Sequence, residues 1–166
     1  YLQRELFAGH AKEAAAIPIH QWIYEPGLPL SAPKPVSPVL NEVAEKAHGW
    51  TEGKLALTSI ATKDWSTQEW LEFLQVLPSP LSGKQMTDLD RAFHFTRTGN
   101  DEILDQWLKL AIKANYQPAY GRLREFLLQV GRMKMIKPLY SELMQTPDGR
   151  RLALEIYAKA RSGYHP

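Results

Sequence analysis

Helix beginnings recur along this chain at an almost constant step, and no other feature limits its fold so strongly. Start signals fall near residues 66, 84, 100, 117, 132 and 147, with 15 to 18 residues between them. "STQE", Ser66 to Glu69, has the form of a capping box, in which the Ser oxygen takes the N3 amide and the Glu reaches back to the cap. Asn100 stands where an N-cap side chain is wanted, and Pro118 where a missing amide does no harm. Apolar residues then follow at i, i+3, i+4 spacing. Trp70, Leu71, Leu74 and Leu77 make one such stripe, ended by Pro78 and Pro80. Met86, Leu89 and Phe93 mark the next, and Ile103, Leu104, Trp107, Leu108 and Ala111 another that runs on to Asn115. Leu123, Phe126, Leu127 and Val130 follow, with Gly131 expected as their C-terminal cap. Met135, Leu139, Tyr140 and Leu143, then Leu152, Ile156, Tyr157 and Ala160, complete the series. Short helices joined by short loops lie antiparallel to their neighbours. A helix pair about every 32–35 residues is the period of an α-solenoid. The predicted fold is all-α: an α-α superhelix of antiparallel pairs, armadillo- or HEAT-like. No alternating β-branched run is long enough for a sheet.

The first stretch of the chain breaks this rhythm. "IPIHQWIYEPGLPLSAPKPVSP" holds six of the 12 prolines. Proline removes an amide donor and restricts the residue before it, so neither a long helix nor a central strand can run through. The reading is a short helical turn around Trp22, then an extended linker. Residues 1–16 read as a helix remnant. The predicted organisation is 1–24 as the tail of, or junction to, a preceding catalytic domain, 25–38 as a Pro-rich linker, and 39–166 as a helical C-terminal domain. Val39, Leu40, Val43, Ala44, Ala47 and Trp50 give that last part its first stripe.

Charge is divided unevenly. Residues 1–116 carry 11 Lys and Arg against 14 Asp and Glu, and residues 117–166 carry nine against four. A basic last third on a mildly acidic body points to an anionic partner or substrate near the C-terminal end. With no Cys, the chain has no disulfide, no thiolate metal ligand and no thiol nucleophile. That composition is compatible with the cytoplasm, which is favoured, and with the periplasm. No apolar run approaches the ~18–20 residues of a membrane-spanning helix, so no membrane partner is expected.

Catalytic patterns are missing. The five His are His10, His20, His48, His94 and His165, and no two stand at i, i+4 as in HExxH. There is no G-x-S-x-G elbow, P-loop or G-x-G-x-x-G. The carboxylate pairs Asp88 with Asp90 and Asp101 with Glu102 are expected at helix N-termini, where the dipole accounts for them. Trp70 and Trp107 read as core, Trp50 as a core anchor, and Trp22 and Trp65 as loop residues able to pin the linker or meet another domain.

The segment "GRMKMIKPLY", Gly131 to Tyr140, is harder to dismiss. It puts Arg132, Lys134 and Lys137 into the opening turns of a helix, the end where cations are unfavourable by a few tenths of a kcal/mol. One reading is structural: Arg132 satisfies the last carbonyls of the preceding helix, Lys137 is solvated, and Pro138 occupies an early helix position. The other is an anion site, with free amides and positive potential completed by Arg132 and Lys134 converging on one carboxylate.

"VGRMKMIKPLY" resembles the stretch that closes the substrate pocket in the C-terminal domain of the leukotriene A(4) hydrolase and aminopeptidase B family of zinc aminopeptidases. "WIYEPGLPLSAPKP" is similar to the family's junction between catalytic and C-terminal domains, W-[LI]-Y-x-P-G-L-P. "FHFTRTGNDEILDQWLKLAIKANYQPA" and the final "YHP" resemble further family stretches in the same order, so the likeness covers about residues 18 to 166. It implies a helical C-terminal domain that closes the substrate cleft, with short peptides as substrates and the catalytic domain of the same polypeptide as partner. By position, substrate-carboxylate binding falls on Arg132 and Lys134, with no role carried over for Lys137. It also implies zinc in the full-length parent and none in this chain. HExxH is absent, so the chain alone is expected to be inactive and to contain no catalytic or metal-ligating residue. A monomer is expected. The alternative is a free-standing helical-repeat module for nucleic acid or acidic protein. The resemblance selects the first reading, under which nucleic acid is not a partner.

Overall fold

The computed structural model describes residues 1–33 and 35–164, with only the backbone of Gln3. His165 and Pro166, the last two residues of the "YHP" ending, lie outside the described residues, as does Lys34 within the linker. Every regular element among the described residues is helical. None of these helices is long and apolar enough to cross a membrane. Two compact units are present, residues Tyr1–Ser37 and Pro38–Pro166.

The first unit consists of a single π-turn, Leu2–Leu6, and two short helices, α1 (Ala11–Ala16) and α2 (Ile19–Tyr24). Neither α1 nor α2 buries a residue. Trp22, Ile23, Tyr24, Leu28 and Leu30 are all exposed.

The second unit carries the predicted periodicity. Its helices are α3 (Pro38–Thr51), α4 (Thr67–Gln75), α5 (Gly83–Phe93), α6 (Asp101–Lys113), α7 (Tyr120–Gln129), α8 (Met133–Leu143) and α9 (Pro147–Ala160). Helix α4 packs on α3 and α6, and α6 packs on α8, while α7 and α8 both pack on α9. Stacking of α4 on α6, α6 on α8 and α7 on α9, each on the helix two places further along, is the arrangement of an α-α superhelix, and it follows from the stripes. Leu74, Leu104, Trp107, Leu108, Leu123, Leu127, Leu139 and Ile156 are all buried in one continuous core. Burying a Leu or Phe side chain is worth about 1.5–3 kcal/mol, so the stripes dictate which helix faces meet.

Caps fix where the helices begin. Ser66 and Glu69 form the expected box at α4. Asn100 Oδ1 accepts from the Glu102 and Ile103 amides at α6, and Asn100 Nδ2 donates to Thr67 Oγ1 at 3.0 Å, tying the starts of α4 and α6 together. A second capping box, Ser82 with Gln85, opens α5. "SGKQ" signals it in the sequence as plainly as "STQE" does.

Four local expectations need correction. Asp88 and Asp90 are not at a helix start. They lie in the second half of α5, where Asp88 pairs with Lys84 at 2.6 Å. Asp90 accepts from the Thr96 amide at 2.9 Å and its hydroxyl at 2.8 Å, clasping the turn that follows. Trp65 does not stand apart from the domain. It packs edge-on against Trp70, with ring centroids 4.8 Å apart, and joins an aromatic chain through Phe73, Phe93 and Phe95 to the fully buried Trp107. Pro138 sits six residues into α8 rather than in its first turn, so the Lys134 carbonyl has no i+4 amide to receive. Gly131 is not a left-handed cap either: α7 ends on Val130 in extended conformation.

Candidate functional site

The segment from Val130 to Lys134 leaves α7, runs extended through Arg132 and turns into α8. Two devices hold it. A Cβ on Gly131 would lie 2.8 Å from the Gly163 carbonyl oxygen, so only glycine fits there without a shift. The C-terminal turn is itself anchored. The Tyr164 hydroxyl donates to the Leu127 carbonyl at 2.5 Å and meets the Tyr140 hydroxyl at 2.8 Å. Tyr164, and not Arg132, therefore satisfies a late carbonyl of α7. Burial, then the hydroxyl contact with Tyr164, pushes the Tyr140 phenol far above its ordinary range, so it is a neutral structural group.

With Met135, Ile136 and Leu139 buried beneath, α8 directs Arg132, Met133, Lys134 and Lys137 outward. Arg132 is the N-cap and offers no capping bond. Among the described residues, the Arg132 and Lys134 side chains have no hydrogen-bond or ion-pair partner, and the Met133 and Lys134 amides have no backbone acceptor. Two cations and two free amides thus share one helix turn. Lys137 diverges, lining a groove with Tyr140, Tyr157 and Arg161 on the α9 side.

Lys134 instead lines a cleft of about 310 Å³ between α4, α6 and α8, with Gln68, Gln75, Glu102, Asp105 and Lys109. Asp105 is the one polar or charged side chain in the buried set among the described residues. Its Oδ2 accepts from Lys109 Nζ at 2.6 Å, and its Oδ1 has no partner. An orphaned buried acceptor costs about 1–3 kcal/mol. Burial pushes the Asp105 carboxyl up from its ordinary range, opposed by the Lys109 hydrogen bond and charge and by the Lys134 charge. Motif and spacing arguments pass over Asp105. Asp105 and Lys109, at i and i+4, lie off the stripe of Ile103, Leu104, Trp107, Leu108 and Ala111, so the sequence gives them the look of a solvated pair.

The family described as leukotriene A4 hydrolase, C-terminal, matches residues 65–166. The chain belongs to this family. A leucine aminopeptidase 2 of Pyricularia oryzae is 32% identical over 148 residues, which make up 86% of this chain and 23% of that protein. A leukotriene A-4 hydrolase of Xenopus laevis is 27% identical over 151 residues, 87% of this chain and 25% of its own length. The chain thus spans about a quarter of the length of these relatives. Among solved structures, yeast LTA4 hydrolase in complex with bestatin superposes with a TM-score of 0.79 at 23% identity, over 98% of this chain and 29% of that one. That likeness supports the all-α C-terminal domain fold. As a member of the leukotriene A4 hydrolase C-terminal family, the chain has Arg132 and Lys134 inside the matched region. Among the described residues, no three His, Asp or Glu side chains come together to hold a metal ion.

Proposed function

We propose that this chain is the C-terminal helical domain of a zinc-dependent aminopeptidase, closing the substrate cleft of a catalytic domain in the same polypeptide. Arg132 and Lys134 bind the free carboxylate of a short peptide there. The observation that carries this reading is the start of α8: two unpaired cations and two unpaired amides in one turn, within a segment the family resemblance assigns to the pocket. A carboxylate is the group such a turn lacks. Its two oxygens match the Arg132 fork, while Lys134 adds a point charge. Binding it fixes how far the peptide's free end lies from the scissile bond, which favours short peptides and raises turnover through positioning. The exposed Trp22, Ile23, Tyr24, Leu28 and Leu30 fit a junction that packs against that further domain, with residues 25–38 as the linker.

The test is kinetic, in the full-length polypeptide. Arg132→Ala lowers kcat/KM for tripeptides relative to an amino-acid anilide, which has no carboxylate. Loss of a charge-assisted contact worth about 1.5–3 kcal/mol corresponds to roughly a 10- to 150-fold fall in that ratio. Lys134→Ala has a smaller effect, Arg132→Lys recovers part of the loss, and Lys137→Ala has little effect. Equal losses on tripeptide and anilide would refute the carboxylate role.

A further inference from the structure

The buried carboxylate on α6 and the free ammonium on α8 face one cleft, and each lacks what the other supplies. Asp105 Oδ2 is engaged by Lys109 from the same helix, at 2.6 Å and four residues away. Oδ1 is buried and has no donor. The cations lining the cleft are Lys109 and Lys134, and the second has no partner among the described residues. Helix α4 contributes Gln68, Leu71 and Gln75 to the walls, none of them charged. Glu102, the other carboxylate of the lining, is exposed and solvated.

We propose that Asp105 is the positioning residue for Lys134, its buried carboxylate holding the Lys134 ammonium over the α4–α6–α8 cleft where the peptide carboxylate arrives. This rests on the reading of Lys134 as a substrate-binding residue. The two cations of the lining, Lys109 and Lys134, share it with two carboxylates, Asp105 and Glu102, and of these Asp105 is the buried one with an unpaired oxygen. A Lys side chain is a long, flexible stem, and a fixed anion beside it restricts where the head can sit. Such restriction tightens binding by lowering the ordering cost met on association. Arg132 lies outside the lining of this cleft, so Asp105 acts on one of the two cations only.

Two measurements separate this inference from the reading beneath it. In the 166-residue chain, the Lys134 ε-methylene NMR resonance reports the contact directly. Asp105→Asn moves it toward the position of a free lysine, and Glu102→Gln does not. Lys109→Met, which frees Oδ2, moves it the opposite way and serves if Asp105→Asn fails to fold. A Lys134 resonance indifferent to Asp105→Asn and Lys109→Met, or equally sensitive to Glu102→Gln, overturns the inference. In the full-length polypeptide, Asp105→Asn lowers the tripeptide-to-anilide ratio of kcat/KM by roughly 3- to 10-fold, mainly through KM. It adds nothing in a Lys134→Ala background. Losses that simply multiply in the double variant show that Asp105 acts elsewhere and overturn the positioning role. If the NMR contact is present but Lys134→Ala leaves the ratio unaltered, the Asp105–Lys134 pairing stands. The substrate role of Lys134 then falls, and the positioning role of Asp105 falls with it.

Discussion

Gly131→Ala tests whether the segment bearing the candidate site is held by backbone packing. The added methyl would meet the Gly163 carbonyl oxygen at 2.8 Å, with Tyr164 Cα at 3.7 Å behind it. Neither is the end of a flexible side chain, so the C-terminal turn must move. Moving it stretches the Tyr164 bonds to Leu127 and Tyr140, now 2.5 and 2.8 Å. Overpacking of this kind costs about 1–3 kcal/mol. The loss of unfolded-state freedom on replacing glycine returns about 0.4–1 kcal/mol. A net destabilisation of about 1–2 kcal/mol lowers Tm by roughly 2–8 °C for a chain of this size. Gly121 on α7 provides the contrast. A Cβ there meets nothing within 4 Å, so Gly121→Ala raises Tm through helix propensity alone. Gly149, whose Cβ would run into the Leu143 carbonyl, marks the severe end. Thermal unfolding followed by circular dichroism orders the three. A Gly131→Ala Tm equal to or above that of Gly121→Ala would refute the packing account of this glycine.

Two further outcomes follow from groups near the same segment. Tyr164→Phe leaves the Leu127 carbonyl and the Tyr140 hydroxyl without their shared partner, and denaturant unfolding should report a loss of about 1–3 kcal/mol. The pH dependence has opposite signs at two carboxylates. Asp105, raised by burial, with Lys109 and Lys134 opposing and Glu102 exposed nearby, holds its proton better folded than unfolded. Its contribution therefore worsens as pH rises through the carboxylate range, and the Tm of Asp105→Asn relative to the parent should shift in the variant's favour from about pH 4 to 7. Glu69 is lowered by hydrogen bonds from the Ser66 hydroxyl and amide, so its contribution is present above its unfolded pKa and lost as pH falls through the folded one. A Tm of Asp105→Asn that falls relative to the parent as pH rises over that range would contradict the raised Asp105 pKa.

The spacing of caps and stripes makes the superhelix legible, because both signals are local. Ser66 and Asn100 accept from amides within a turn of themselves, Pro118 has no amide of its own to satisfy, and the stripes need only the 3.6-residue period. The features that mislead depend on distant contacts. Gly131 looks like a left-handed cap because a glycine after an apolar stripe commonly is one. Its partner is Gly163, 32 residues away. Trp65 is different, because its partner is local: it precedes the Ser66 cap and meets Trp70 in the first turns of α4, as a hydrophobic staple does. At the candidate site, Arg132 and Lys134 stand out because cations at a helix start run against the dipole. Asp105 does not, because an acid four residues before a lysine is ordinary on a solvated face. Only packing on α8 reveals that this face is buried.

The three helices stacked as α4, α6 and α8 can be compared at the same point, their first turns. At α4, Ser66 and Glu69 satisfy the free amides from within the chain. At α6, Asn100 does so, and Asp101 and Glu102 supply the negative charge a helix start favours. At α8 the N-cap is Arg132, no acid occupies the first turn, and no side chain caps the amides. Stability alone favours the arrangement of the first two by about 0.5–2 kcal/mol per cap. Serine or aspartate at position 132 would give α8 the same security. The sequence has instead concentrated unsatisfied donors and positive charge at one turn and locked that turn with Gly131 and Tyr164. Under the proposed carboxylate role, donors held in place by that turn meet the ligand at little ordering cost, and the ligand brings acceptors and negative charge together. A carboxylate supplied from outside the chain meets both requirements.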